Sequence, residues 1–128
     1  MPDMYLVFSH SLTKEQEEDA RKSLKIDKFI YMPDELKNIW ANINPYGELP
    51  TDDIQKIKDY LYDNAKKGDF ILIQGDFGAV FNLVKWCFEN DFVPVYSTTK
   101  RVHQEKTLKS GQVESRKIFK HVNFRRYI

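Results

Sequence analysis

The sequence predicts an α/β domain with a mostly parallel sheet, flanking helices and a C-terminal β-hairpin. Over the first 99 residues, short apolar runs alternate with stretches of helical spacing, which is typical of parallel strands joined by helical crossovers. The remaining residues form two polar, strand-like segments around Lys109–Gln112, a pattern that favours a hairpin. A length of 128 residues suits one hydrophobic core. We therefore predict one domain over residues 1–128, with the hairpin at about 101–127.

Helix signals separate the apolar runs. Thr13-Lys14-Glu15-Gln16 has the pattern of a capping box, in which the first and last residues bond each other's backbone N–H groups. Pro33 suits a first helical turn, and Gly68 after two lysines suits a helix end. The predicted helices run from Thr13 to about Leu24, from Pro33 to Trp40, from a cap at Thr51-Asp52-Asp53 to Lys66-Lys67-Gly68, and from about Ala79 to Glu89.

The predicted strands are short and apolar. Phe70–Ile73 has no polar residue, as expected for a strand that is buried on both faces. Pro94 lacks an N–H donor, so either the strand assignment is less secure or the strand lies near an edge of the sheet. The predicted strands are Met4–Ser9, Phe29–Tyr31, Phe70–Ile73 and Phe92–Tyr96, followed by the hairpin strands Arg101–Leu108 and Val113–Tyr127.

The charge is unevenly distributed along the chain. Residues 100–128 carry nine Lys or Arg against two acidic residues, so their net charge is +7, whereas the first 99 residues carry −6. This asymmetry favours an anionic partner near the hairpin. The alternative is a solvated hairpin whose charges protect its edges from aggregation.

Composition also bounds the cellular location. No apolar run approaches the roughly 20 residues that would span a bilayer, and Met1–Met4 lacks the basic region of a signal peptide. The single cysteine, Cys87, has no partner for an intramolecular disulfide and fits a reducing compartment. We therefore expect a cytoplasmic protein without a membrane partner, in which Cys87 packs in the core.

Candidate binding residues follow from the topology. In an open parallel sheet, ligands bind beyond the carboxyl ends of the strands, where the strand order reverses. Three polar stretches occupy such ends. They are Ser9-His10-Ser11, Gln74-Gly75-Asp76-Phe77-Gly78, and Ser97-Thr98-Thr99-Lys100-Arg101 directly after Tyr96. We expect these three strand tips to converge into one pocket for a phosphate-bearing nucleotide.

Each stretch also has a plainer interpretation. A glycine turn that opens a helix favours an anion, yet Gly75 and Gly78 also suit a tight turn with helix packing. Asp76 is better read as an N-cap than as a catalyst, because an exposed carboxylate repels phosphate. The hydroxyls and cations of residues 97–101 can hold phosphate oxygens, or they can be a solvated strand end.

Histidine and cysteine give little further signal. His10 is at a predicted strand end and can act as a general acid or base. His121 lies among basic residues and can join an anion patch. The three histidines and one cysteine lack metal-ligand spacing, so we expect no metal or other cofactor. Nothing in the sequence suggests a Ser-His-Asp triad.

Four segments together resemble a small CRISPR-associated family, Csx-twenty. The segments are Phe8-Ser9-His10, Lys66–Ala79, Val93–Arg101 and Phe119–Arg125. This family is similar to the CRISPR-associated Rossmann fold (CARF) proteins of type III systems. The resemblance implies a CARF-like Rossmann domain that binds cyclic oligoadenylate, most readily cyclic tetraadenylate, and acts as a metal-independent ring nuclease.

The resemblance also implies roles for the candidate residues. Ser9 and the turn Gly75–Gly78 would cradle phosphates, and Phe77 or Tyr96 would stack on adenine. Lys100 or Arg101 would stabilise the transition state, Ser97, Thr98 and Thr99 would orient the ribose–phosphate, and His10 would assist proton transfer. A symmetric ligand implies a homodimer, with no stable DNA or long RNA partner. The alternatives are a non-catalytic sponge or sensor of the same ligand, and a nucleic-acid-binding protein that uses the basic hairpin.

Overall fold

The computed structural model describes residues 1–128 and contains one five-stranded sheet. The strands are β1 (Met4–Val7), β2 (Phe29–Tyr31), β3 (Phe70–Ile73), β4 (Val93–Thr107) and β5 (Val113–Arg126). Their order is β2-β1-β3-β4-β5, with β1 to β4 parallel and β5 antiparallel to β4. The predicted α/β class and mostly parallel sheet are confirmed, and the β4–β5 pair fits the predicted hairpin.

Four helices connect the parallel strands. They are α1 (Lys14–Ser23), α2 (Asp34–Ala41), α3 (Thr51–Asn64) and α4 (Phe77–Glu89). The predicted capping box at the start of α1 is confirmed: Gln16 N donates to Thr13 Oγ1 at 3.2 Å, and Thr13 N donates to Gln16 Oε1 at 2.8 Å. No helix in the structure is both long enough and apolar enough to cross a lipid bilayer.

The ends of α3 and α4 differ from the prediction. Thr51 is the first residue of α3 rather than its cap, and no side chain caps this helix; Asp52 and Asp53 lie in its first turn. The helix ends at Asn64, before the lysines and Gly68. Helix α4 begins two residues earlier than expected, because Asp76 caps it at Phe77.

Side chains from both faces of the sheet form the core. On one face, β1 and β3 pack against α2, α3 and α4 through residues such as Ile57, Ile73 and Leu83. On the other face, Leu72 and Val95 pack with Ala20 of α1. The central strand β3 is buried over its whole length, as its apolar sequence predicts.

The largest departure from the sequence prediction is β4. It is one strand of 15 residues, so Ser97–Arg101 lie inside it instead of beyond its end. The reason is nonlocal: β5 pairs with β4 continuously from Val95 opposite Arg126 to Thr107 opposite Val113. Pro94 is also not at an edge, since β4 lies between β3 and β5. The β4–β5 ladder ends at Val95, so the missing N–H of Pro94 falls just outside it.

The hairpin has two irregular points. At its tip, Leu108 N donates to the Gln112 carbonyl at 2.7 Å, and Gly111 has a positive φ of 86°, which fits the predicted turn. Near its base, Thr98 lies opposite Asn123 and Thr99 lies opposite His121. Val122 is thus an extra residue on β5, which makes this point a β-bulge.

Candidate functional site

The strand order reverses between β1 and β3. β1 pairs with β2 on one side and with β3 on the other, and Val7 lies opposite Ile73 where both strands end. The stretches that follow these ends, Ser9–Ser11 and Gln74–Gly78, therefore flank the position where ligands bind in open parallel sheets.

Gln74 ties three strands together at this position. Its backbone N–H donates to the carbonyl of Val7 at 3.2 Å, and its side-chain Oε1 accepts from Ser97 N at 2.8 Å. The structure thus brings two of the predicted stretches, Gln74–Gly78 and Ser97–Arg101, into direct contact. The side chain that joins them is half-buried.

A cavity of about 340 Å³, here called the turn cavity, lies on the α4 face of the sheet. Tyr96 and Tyr127 form one wall, with ring centroids 4.8 Å apart. Burial raises the pKa of Tyr127, and its hydroxyl donates to the Ile73 carbonyl at 2.6 Å. Phe77 is 94% exposed. The cavity is lined by Gln74, Gly75, Phe77, Val80, Tyr96 and Tyr127.

Arg125 and the start of α4 lie beside the turn cavity. Arg125 donates to the hydroxyl of Tyr96 at 3.2 Å and also lies over its ring. Asp76 Oδ2 accepts from Ala79 N at 3.0 Å, so this carboxylate caps α4, as the sequence suggested. The N–H groups of Phe77 and Gly78 have no acceptor within the chain.

The opposite face of the sheet holds a chain of three polar side chains. Ser97 Oγ lies 2.6 Å from His121 Nδ1, and His121 Nε2 lies 2.8 Å from Asp19 Oδ2. Burial alone would raise the pKa of Asp19, but hydrogen bonds from Ser23 and His121 outweigh it and the pKa is lowered. The ionised carboxylate is an acceptor, so Nε2 carries a proton, and in the neutral imidazole Nδ1 then accepts from the Ser97 hydroxyl. A Ser-His-Asp arrangement is therefore present where the sequence indicated none.

A second cavity, of about 530 Å³, adjoins this chain and is here called the α1 cavity. It lies between the first turn of α1 and the hairpin. Gln16 forms part of its wall and donates through Nε2 to Ser97 Oγ at 3.3 Å. The cavity is lined by Thr13, Lys14, Glu15, Gln16, Thr99, Ile118, Phe119, Lys120 and His121.

The two predicted cations point to different faces of the hairpin. Successive side chains of a strand alternate between the faces of its sheet, so Lys100 and Arg101 point to opposite faces. Arg101 lies over the ring of Phe119, which lines the α1 cavity. Lys100 follows Tyr96 and Thr98 at even spacing and so belongs to the turn-cavity face. Thr98 Oγ1 lies 2.6 Å from Asn123 Oδ1 and ties the strands together.

The structure corrects the expectation of one pocket. Ser9, His10 and Ser11 are exposed, their side chains form no hydrogen bond within the chain, and neither named cavity includes them. The ring of His10 lies edge-on to Phe8, with centroids 5.8 Å apart. The remaining candidate residues lie on two opposite faces of the sheet and its hairpin. Their positions at strand ends do not reveal which face each side chain is on.

Sequence reasoning missed several side chains of the site. The sequence predicted the capping role of Gln16 but not its contact with Ser97. His121 was assigned to an anion patch, and Asp19 was not singled out. Their contact spans 102 residues, so no local pattern predicts it.

Comparisons with known proteins identify the family. Residues 2–125 match the model described as "Uncharacterized protein MJ1673 family". The chain is 45% identical to Uncharacterized protein MJ1673 of Methanocaldococcus jannaschii over 127 residues, which cover 99% of this chain and 98% of that protein. No solved structure matches the chain. The chain therefore belongs to the MJ1673 family.

Proposed function

We propose that this protein is a ring nuclease that binds a cyclic oligoadenylate and cleaves it without a metal ion. The ligand proposed is cyclic tetraadenylate. A ribose 2′-OH attacks the adjacent phosphorus, the bond from phosphorus to the 5′-oxygen breaks, and a 2′,3′-cyclic phosphate and a 5′-OH result. This reaction removes a second messenger and so switches off type III CRISPR signalling. The resemblance to the Csx-twenty family, which stays a prediction, motivates this choice of ligand.

The observation that carries the proposal is the composition of the turn cavity. It lies beside the point where strand order reverses, and it combines aromatic rings with free N–H groups at the start of α4. Adenine stacks on aromatic rings, and a phosphate binds to free N–H groups at a helix N-terminus. A volume of about 340 Å³ is within the size range of small-molecule sites. Phe77 and Tyr96 therefore suit a base, and the N–H groups of Phe77 and Gly78 suit a phosphate.

Cations on both faces support the cleavage step. The negative charge that develops on the non-bridging phosphate oxygens is stabilised by fixed positive groups close by. Lys100 and Arg125 are on the turn-cavity face, and Arg101 is on the α1-cavity face. The two cavities are on opposite faces of the sheet, and β5 is an edge strand, so a macrocycle that contacts both passes around the free edge of β5.

An exposed apolar face on α4 supports a homodimer. Phe81 is 67% exposed and Phe88 is 49% exposed, and both lie with Phe77 and Ile128 around a shallow apolar groove. Lys85 is the one charged residue of this groove. Contiguous apolar surface of this kind marks interaction sites, and a twofold axis through α4 would bring two turn cavities together around a symmetric ligand. Sedimentation of the wild type and of Phe81→Glu tests this part: a monomeric wild type contradicts it.

Incubation of the purified protein with cyclic tetraadenylate in the presence of EDTA tests the activity. We expect linear products that end in 2′,3′-cyclic phosphate, and slower cleavage by Lys100→Ala or Arg101→Ala. Lys109→Ala, at the exposed hairpin tip, is the matched control for loss of one cation. Intact ligand after long incubation with excess protein contradicts the enzyme.

Binding measurements separate the alternatives. Tight binding of cyclic tetraadenylate without cleavage identifies a sponge or sensor. Affinity for linear RNA or DNA that falls steeply with salt identifies a nucleic-acid-binding protein that uses the basic hairpin.

A further inference from the structure

We infer that Ser97, His121 and Asp19 form a proton relay that takes the proton of the attacking ribose 2′-OH at the α1 cavity. The inference rests on the proposed function and assigns it a general base. It replaces His10, the expected candidate, which is exposed and makes no hydrogen bond to the other site residues.

The geometry of the relay fixes the direction of proton transfer. Asp19 accepts from His121 Nε2, so Nδ1 is the basic nitrogen, and the Ser97 hydroxyl donates to it over 2.6 Å. A base oriented by a carboxylate and bonded to a hydroxyl is the arrangement by which enzymes activate hydroxyl nucleophiles. His121 has no free nitrogen, so it acts through Ser97.

Gln16 marks the point where the substrate hydroxyl enters. Ser97 is only 7% exposed, and the one donor to its Oγ is the Gln16 amide, at a long 3.3 Å. Gln16 lines the α1 cavity, so a ligand that fills the cavity meets this side chain. A ribose 2′-OH that displaces the amide donates to the same oxygen of Ser97.

The proton balance is complete without a cofactor. The 2′-OH gives its proton to Ser97 Oγ while Ser97 gives its own to His121 Nδ1, and the 2′-oxygen bonds to phosphorus. The bond to the 5′-oxygen breaks, and that oxygen takes a proton from water. His121 returns to its neutral form when Nδ1 passes its proton back through Ser97 Oγ to water that enters the α1 cavity after the product leaves.

Residues around the relay are suited to these roles. Arg101 lies over Phe119 at the edge of the same cavity, which Lys14 and Lys120 also line, and it stabilises the negative charge on the phosphorane oxygens. The charged groups of α1 that face the imidazole are Asp19, Glu15, Glu18 and Lys22, and from β5 Lys120 lies beside it along the strand. Asp19 is a positioning residue, because it contacts His121 and not the substrate.

Cleavage kinetics of Ser97→Ala, His121→Gln and Asp19→Asn test the inference. We expect Ser97→Ala and His121→Gln to lower the single-turnover rate roughly 10²- to 10⁴-fold, the usual contribution of general base catalysis. We expect the dissociation constant for cyclic tetraadenylate to stay within a few-fold. Ser110→Ala, in the hairpin turn, is the matched serine control, and thermal melts verify that each variant is folded.

A pH profile of the wild type provides a measurement that needs no variant. The neutral imidazole is the acceptor, so the rate should rise with pH and level off once the imidazole is neutral. Asp19→Asn should move this profile, which a merely structural contact would not do.

The outcomes separate the two proposals. A wild type that neither binds nor cleaves the ligand overturns the proposed function and the relay with it. A wild type that cleaves with a flat pH profile overturns the relay alone, as do folded Ser97 and His121 variants that cleave at the wild-type rate.

Discussion

The indole Nε1 of Trp40 donates to the backbone carbonyl of Gln74 at 2.8 Å and brings the edge of the ring against Gly75. A Cβ atom added at Gly75 would lie 2.8 Å from Nε1 and 3.1 Å from the next ring atom. The absence of a side chain at this position therefore allows α2 to pack on the turn after β3. The sequence left open whether Gly75 serves ligand approach or helix packing, and the structure shows an indole ring of α2 packed against it.

Gly75→Ala should lower the free energy of unfolding by about 1–3 kcal/mol, the usual cost of overpacking a closely packed site. Urea denaturation gives the value. Gly78→Ala is the matched control: the nearest atom to its added Cβ is Leu49 Cδ1 at 3.4 Å, an ordinary contact. Because Gly78 is inside α4, alanine should leave stability unchanged or raise it by up to about 1 kcal/mol. Equal losses in the two variants would contradict the role of Trp40.

Tyr127→Phe should lower the free energy of unfolding by about 1–2 kcal/mol. The change removes the Tyr127 hydroxyl, which donates to the Ile73 carbonyl at 2.6 Å. The partly buried carbonyl then lacks this hydrogen-bond partner. Tyr62→Phe, on the exposed side of α3, serves as the control because the Tyr62 hydroxyl has no hydrogen bond within the chain. An unchanged denaturation midpoint for Tyr127→Phe would show that this hydrogen bond contributes nothing.

Asp19→Asn should reduce stability in a pH-dependent way. Burial alone would raise the pKa of Asp19, but the hydrogen bonds from Ser23 and His121 lower it below its usual value. A lowered carboxyl pKa contributes stability that is fully present above the unfolded-state value, near 3.9, and is lost as the pH falls through the lower folded-state value. The stability difference between wild type and variant should therefore be largest above about pH 5 and shrink in more acidic solution. Denaturation curves at a series of pH values measure this stability difference. A difference that increases in acid would contradict the prediction.

Cys87 should be inert in the folded protein. Burial raises the pKa of its thiol to about 12, although Lys58 acts in the opposite direction. Since the thiolate is the reactive form, a thiol reagent such as Ellman's reagent should modify Cys87 only as fast as the chain unfolds. Addition of urea should then expose one thiol per chain. Rapid modification in native buffer would show that the core opens around α4.

The fold was predictable wherever local chemistry decides it. The Thr13–Gln16 capping box and the apolar run Phe70–Ile73 each determine their element from a few neighbouring residues. The prediction that Ser97–Arg101 follow the end of a strand was wrong. Five consecutive polar residues give no alternation of apolar and polar positions by which a strand could be recognised. Their extended conformation comes from pairing with β5, whose paired residues are 18 to 27 positions away in the chain.

The candidate site was predictable only in part, for the same reason. Strand-end rules located Gln74 and Ser97, which do contact each other. They could not assign Lys100 and Arg101 to separate faces without knowing that β4 continues past them. Asp19 and His121 meet because α1 packs beside β5, a tertiary contact that has no signature in either segment.

The bulge at Val122 has a consequence for the position of His121. His121 and Phe124 are three residues apart, an odd separation that would put them on opposite sides of a regular strand, yet their rings are 4.7 Å apart. The unpaired valine absorbs the extra residue and returns the imidazole to the side that carries α1. A slip of one residue along the hairpin would keep every amino acid and every strand, but would turn the imidazole away from its serine. Register, as much as composition, therefore determines whether these two side chains can meet.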